Sequence, residues 1–145
     1  MTIMRFMMLL KADKTTEAGV LPTREDLEEM GKYNEELVKA GVLRDAAGLQ
    51  PSSKGAKIVF PPGGKPHVTD GPFAETKELI AGYWTIEVAS KAEAIEWARR
   101  VPFAKLPHDG RTAEIELRQV FELSDFADVP PSVAELEEKF RGPNR

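Results

Sequence analysis

Apolar residues along the chain change twice between a strand-like and a helix-like spacing. Ile3 to Leu10 is nearly continuous apolar, which is typical of a strand buried on both faces. After a polar stretch that predicts a loop over Lys11 to Leu21, the helical spacing begins at Thr23, a suitable N-cap, and stops at Gly41, a suitable C-terminal residue. The stripe predicted for this helix is Leu27, Met30, Tyr33, Leu37 and Val38.

The same order of elements returns in the second half of the chain. Val42 to Gln50 predicts a strand, and Ile80 to Val88 alternates apolar and polar residues more clearly than any other segment. Ser90 and Glu93 have capping-box spacing, which predicts a helix from Lys91 to Arg100 that ends before Pro102. Ala113 to Val120 alternates again and predicts the last strand.

A hairpin is predicted between these two halves. Ala56 to Phe60 and His67 to Thr69 read as short strands on either side of a turn rich in proline and glycine. The order β-α-β, hairpin, β-α-β favours an α+β fold of the ferredoxin-like type, βαββαβ with a hairpin insertion. One antiparallel sheet would carry two helices on one face. The other face would stay open, and such faces dimerise or hold a ligand.

The composition changes after residue 122. The prediction is one domain over 1–122 and a C-terminal tail over 123–145. In the tail, Ser132 and Glu135 have capping-box spacing, and an apolar stripe of Val133, Leu136 and Phe140 follows Pro130-Pro131. A short helix is expected to dock on its own domain or on a partner subunit, because it would not persist alone.

Composition and charge exclude several classes of protein. The 145 residues include no cysteine, which excludes disulfides and thiolate chemistry and fits a cytoplasmic protein. The net charge of -4 argues against a nucleic-acid partner. The N-terminal apolar run is short and is interrupted by Arg5, so neither a signal peptide nor a membrane span is expected.

Turn-forming and ionisable residues are densest at Asp70-Gly71-Pro72-Phe73-Ala74-Glu75-Thr76-Lys77-Glu78. Asp70 has two possible roles: its carboxylate accepts from amides of a turn in which Gly71 permits positive φ, or it acts as a general acid or base. Lys77 is a candidate for binding an anion, although a solvated charge run is the simpler interpretation. The carboxylate spacing matches no metal loop, so neither a metal nor a cofactor is predicted.

Three further residues are candidates for the walls of a ligand pocket between the sheet and this turn. Arg5 is a possible anion partner or a strand residue that reaches solvent, and Tyr33 and Tyr83 are possible hydrogen-bonding groups, with a core position the simpler interpretation for Tyr33. His67 and His108 have no metal-ligand spacing, and both are expected at the surface.

The nine residues 70–78 resemble the sequence motif of the DGPF proteins, within the YCII-related family. The resemblance covers roughly residues 3–120. It includes Ala40-Gly41-Val42-Leu43, Gly82-Tyr83-Trp84 and Glu96-Trp97-Ala98. It implies a homodimeric αβ-barrel in which two open sheet faces meet. Many DGPF members are encoded beside sigma factors, which implies a possible regulatory link. Some relatives are lyases or isomerases with a His–Asp pair, but this chain has no histidine in its first strand or the loop after it.

Two hypotheses for function follow. In the first, the protein binds a small organic acid beside the motif turn and is non-catalytic or regulatory. In the second, it is a cofactor-free lyase or isomerase that uses Asp70 as general acid or base. The sequence leaves open whether the protein is an enzyme.

Overall fold

The computed structural model describes residues 3–103 and 112–141. The strands are β1 (Met4–Lys11), β2 (Leu43–Gly48), β3 (Ala56–Val59), β4 (His67–Asp70), β5 (Ile80–Val88) and β6 (Ile115–Gln119). The helices are α1 (Lys14–Glu17), α2 (Arg24–Lys39), α3 (Lys91–Arg99) and α4 (Pro131–Arg141).

Four strands form the main sheet in the order β2-β5-β1-β6, and every neighbouring pair is antiparallel. Within the described ranges, β3 and β4 pair only with each other, as a separate hairpin inserted between β2 and β5. The predicted α+β architecture with its hairpin is therefore confirmed, and the arrangement is compatible with a ferredoxin-like fold.

The core lies on one face of the main sheet. Phe6 and Met8 of β1 and Trp84 and Ile86 of β5 are buried together, and α2 and α3 supply residues to the same cluster. The residues between them on the strands point to the other face and are half-buried. β1 is therefore fully buried on one face only, which corrects the predicted burial on both.

The long helix α2 begins and ends where predicted. The Thr23 side chain accepts from Asp26 N, and Gly41 follows the helix with a φ of 74°. Tyr33 and Leu37 are buried, but Leu27 and Val38 are 61% and 62% exposed, which corrects the predicted stripe. These two residues lie at the margins of the stripe, beyond the width that the sheet covers.

The segment after β1 contains a helical turn that the sequence pattern did not predict. α1 is a single turn that starts at Asp13, whose side chain accepts from Thr16 N while the Thr16 hydroxyl accepts from Asp13 N. One turn is too short to show a periodic apolar stripe, so the reciprocal cap was the only local signal.

Tyr33 joins α2 to the rest of the core. Its hydroxyl donates to the Trp97 carbonyl oxygen at 2.7 Å, and its ring meets Trp84 edge to face with centroids 5.9 Å apart. The indole of Trp84 in turn donates to Asn34 Oδ1 at 2.8 Å. Burial raises the pKa of Tyr33 well above its usual value of 10.0, so this hydroxyl stays protonated in the folded state.

Replacing Tyr33 by phenylalanine is expected to lower the free energy of unfolding at pH 7 by about 1 kcal/mol, because one buried hydrogen bond is lost. The pH dependence supplies a second readout. With a raised folded-state pKa, Tyr33 loses its proton only in the unfolded chain above about pH 10, so its contribution to stability falls as the pH rises further. Denaturant unfolding between pH 7 and 11 should show a steeper fall for the wild type than for Y33F; parallel curves would contradict the assignment.

Candidate functional site

The motif turn at residues 70–78 is held by two other segments of the chain. Gly71 N donates to Gly55 O at 3.0 Å, and Phe73 N donates to the Ser52 hydroxyl at 3.0 Å. Ser52 is itself held by Glu17 of α1, whose carboxylate accepts from both the backbone N–H and the hydroxyl of Ser52. The turn is therefore fixed by a chain of contacts that runs from Glu17 through Ser52 to Phe73.

Gly71 is required by close packing. A Cβ atom at this position would lie 1.7 Å from the carbonyl oxygen of Ser52, so no side chain fits without moving the backbone. Gly71 is not among the glycines with positive φ in the described chain, which are Gly19, Gly41 and Gly63. The reason proposed from the sequence for this glycine, positive φ, is therefore wrong. The following peptide bond, Gly71-Pro72, is cis.

Asp70 ends β4, where it pairs with Ala56, and its side chain is exposed. The predicted structural role for its carboxylate is wrong, because the Gly71 and Phe73 amides donate to other acceptors. Within residues 3–103 and 112–141, no hydrogen bond or ion pair joins the Asp70 carboxylate to another group. The fold thus leaves this carboxylate available.

The acidic and basic residues after Asp70 are also at the surface. Thr76–Glu78 forms one 3₁₀ turn, and Glu75, Lys77 and Glu78 are exposed. None of these three forms an ion pair within the described part of the chain. The aromatic residue of the motif, Phe73, is half-buried, and the Lys57 ammonium group lies 4.3 Å from its ring centroid.

Arg5 contacts carboxylates of the tail. Its Nε donates to Glu122 Oε1 at 2.8 Å, and one terminal nitrogen lies 4.0 Å from Glu137. Arg141 of α4 pairs with both of these glutamates. The four side chains alternate in charge, and only 15% of the Arg5 side chain is exposed. Arg5 therefore holds the tail against the open face of the sheet.

The two tyrosines lie on opposite faces of the sheet. Tyr33 is in the core, whereas Tyr83 lies on the open face and donates its hydroxyl to Asp45 Oδ2 at 2.9 Å. This hydrogen bond to Asp45, together with the negative charge of that carboxylate, raises the pKa of Tyr83. The structure does not bring the two predicted wall residues together.

Arg5 also lies far from the motif turn within one chain. The turn leads into Ile80, which pairs with Lys11 at one end of β1, and Arg5 is close to the other end. Arg5 and Lys11 are six residue steps apart, which is about 20 Å of strand. Of the predicted site residues, only Asp70 and Lys77 share one local segment.

Two residues that organise this site had not been singled out from the sequence. Glu17 belongs to the unpredicted turn α1, and Ser52 lies in a 3₁₀ turn after β2. Nothing in the linear pattern links positions 17, 52 and 73. His67 is exposed on β4, and His108 lies outside the described residues.

The described residues contain no group of three or more histidine, aspartate or glutamate side chains that could hold a metal ion. Among the helices in the same ranges, none is both long and apolar enough to cross a bilayer.

Replacing Ser52 by alanine is expected to lower the free energy of unfolding by about 2 kcal/mol, because the Phe73 N–H and the Glu17 carboxylate each lose a partner. Ser53→Ala is the matched control, since Ser53 is exposed and makes none of these bonds. Urea unfolding at pH 7 measures both variants. Equal stability of the two would show that Ser52 does not hold the turn.

Comparison with known proteins agrees with this architecture. The model of the YCII-related domain matches residues 4–124, which is most of the chain. An uncharacterized protein of Rhizobium meliloti (strain 1021) is 37% identical over 73 residues, a match that covers 50% of this chain and 58% of that relative. The match thus spans little more than half the length of the curated relative. By the extent of the domain match, the chain belongs to the YCII-related domain family.

Proposed function

We propose that the protein binds a small organic acid at the motif turn, without transforming it, and that it acts as a homodimer whose open sheet faces meet. The supporting observation is that residues 70–78 have a firmly held backbone but exposed charged side chains. The backbone of the turn is held by Ser52 and Gly55, whereas the charged groups of Asp70 and Lys77 form no hydrogen bond or ion pair with the residues that the structure describes. A rigid backbone that presents unused polar groups suits ligand recognition.

The chemistry of the two groups favours, as the ligand, a carboxylate that also carries a hydroxyl group or another hydrogen-bond donor. The Lys77 ammonium group would bind the ligand carboxylate, and the Asp70 carboxylate would accept a hydrogen bond from a hydroxyl group. Tyr83 lies on the open face and would line the space between two sheets in the dimer, whereas Arg5 is engaged by Glu122 and Glu137 of the tail. Tyr33 is left out of this site, because its hydroxyl is bound to Trp97 inside the core.

The open face of the sheet supports the proposal of a homodimer. Met7, Leu9, Tyr83 and Thr85 are half-buried there, and the core helices α2 and α3 lie on the other face. Apolar groups such as Met7 and Leu9 gain free energy when a second sheet covers them.

A thermal-shift screen of small carboxylic acids and lactones tests the binding site. A ligand present at ~100 times its Kd should raise Tm by about 5 °C or more. Asp70→Asn and Lys77→Gln should each abolish most of that rise, and Glu25→Gln on α2, an exposed carboxylate distant in sequence, should leave it unchanged.

A ligand that still raises Tm in both variants would show that the binding site lies elsewhere. A ligand whose effect is lost in Asp70→Asn is then incubated with the wild type, and NMR distinguishes binding from catalysis. Loss of the substrate signal that depends on Asp70 would overturn the non-catalytic assignment in favour of the lyase or isomerase.

Light scattering tests the dimer. The full chain is expected at twice the 16.1 kDa of one copy. Leu9→Lys, which introduces a charge on the open face, should shift the molar mass to that of one chain, and Leu27→Lys on the exposed margin of α2 should not. A wild-type monomer at ~100 µM, well above the Kd of a specific dimer, would contradict the proposed homodimer.

A further inference from the structure

Two exposed apolar surfaces lie at separate places in the chain. The hairpin arm, residues 56–70, exposes Ile58, Val59, Phe60 and Val68. The tail surface, residues 121–140, exposes Phe121, Phe126, Val133, Leu136 and Phe140. Single exposed apolar residues are ordinary, but clusters of this size mark interaction sites.

We infer that the hairpin arm of one copy docks on the tail surface of a second copy, with Phe60 seated in a cavity of that surface. This rests on the homodimer of the proposed function and adds to it a contact outside the sheets. In a two-fold symmetric dimer the contact occurs twice, once for each arm.

The charges of the two segments are complementary. The hairpin arm, residues 56–70, contains Lys57, Lys65 and Asp70, a net charge of +1 without His67, and Lys54 lies two residues before it. Residues 121–141 contain six acidic and two basic residues, a net charge of -4. Asp125, Asp128, Glu135 and Glu138 make no ion pair within the described residues, so their charges remain available to a basic partner. Opposite charge on two apolar surfaces favours their association and fixes its orientation.

The tail surface contains a cavity that fits a large side chain. Its volume is about 180 Å³, and it is lined by Leu123, Phe126, Asp128, Val129, Pro130 and Val133. A cavity of about 150 Å³ is enough to hold a benzene ring in a protein interior, so a phenylalanine ring fits here. Phe60 is 73% exposed and is followed by Pro61-Pro62, which stiffens the chain behind it.

The sheet places the arm and the tail at diagonally opposite corners. The arm leaves the sheet beyond Gly48 of β2, at the Lys11 end of β1, and the tail leaves beyond Gln119 of β6, at the Arg5 end. Gly48 lies level with Leu10 and Gln119 with Phe6, so the two corners are separated by about 14 Å across the four strands and about 13 Å along them. In the structure of one chain the apolar residues of the arm and of the tail surface stay exposed, so the arm does not cover its own tail.

A two-fold axis can bring each arm to the tail of the other copy. Consider a two-fold axis that runs between the two facing sheets, parallel to both and perpendicular to this diagonal. It places the arm corner of each copy over the tail corner of the other. The two sheets then cross at nearly a right angle, which is one of the two preferred ways in which sheets pack.

Cysteine cross-linking tests the contact, because the chain has no native cysteine. Full-length Phe60→Cys and Val133→Cys chains that carry different tags are mixed and treated with a short bis-maleimide. We expect a cross-linked heterodimer between positions 60 and 133. Leu27→Cys mixed with Val133→Cys is the matched control, and it should give no such product. Positions 60, 133 and 27 are 73%, 45% and 61% exposed, so all three variants should keep the fold, which circular dichroism checks.

The outcomes separate this inference from the proposed function. A wild-type monomer by light scattering would remove both the dimer and the contact. A dimer that gives no 60–133 product would overturn the contact and leave the open-face dimer standing. A chain carrying both cysteines that closes on itself as a monomeric product would show that the arm meets its own tail, which also overturns the inference.

The contribution of Phe60 to the affinity of the dimer can be measured separately. Phe60→Ser should raise the dimer Kd at least tenfold by sedimentation equilibrium, because both arms lose their anchor. Leu27→Ser, the control at a similarly exposed apolar residue, should leave the Kd unchanged. An unchanged Kd for both variants would overturn the role of Phe60.

Discussion

Successive residues of a strand point to opposite faces of a sheet, and in this protein α2 and α3 cover only one of those faces. Phe6, Met8, Trp84 and Ile86 therefore enter the core, while the residues between them face outward. This one-sided burial separates Tyr33 from Tyr83 and leaves polar pairs such as Arg44–Glu87, at 2.8 Å, on the open face. It also creates the apolar and hydrogen-bonding surface on which a dimer or a ligand would depend.

The motif turn depends on the side chain of Ser52. Its hydroxyl accepts from Phe73 N and donates to Glu17, so a single group connects α1, the turn after β2 and the motif. Gly71 allows the backbone to approach the Ser52 carbonyl, which no other residue would permit. The backbone of the motif is thus closely packed, while its charged side chains are exposed.

The tail is joined to the domain by charge. Arg5, Glu122, Glu137 and Arg141 form an alternating cluster whose side chains are mostly shielded from water, and Arg141 Nε is buried without a hydrogen-bond partner in the described chain. Such a cluster fixes geometry more reliably than it adds stability, because desolvation offsets much of the attraction. It holds α4 in place while the apolar stripe of that helix remains exposed, as a docking surface requires.

The sequence by itself determined the order of the strands and long helices, the hairpin, the caps at Thr23 and Ser90, and the family, because these depend on local periodicity and short motifs. It could not determine which apolar residues of α2 are buried, since the width of the covering sheet excludes Leu27 and Val38. Nor could it connect Glu17, Ser52 and Phe73, or pair Arg5 with a tail more than a hundred residues away. Those contacts are made only when distant segments meet, so the tertiary structure alone decided that Arg5 holds the tail and that Asp70 remains available.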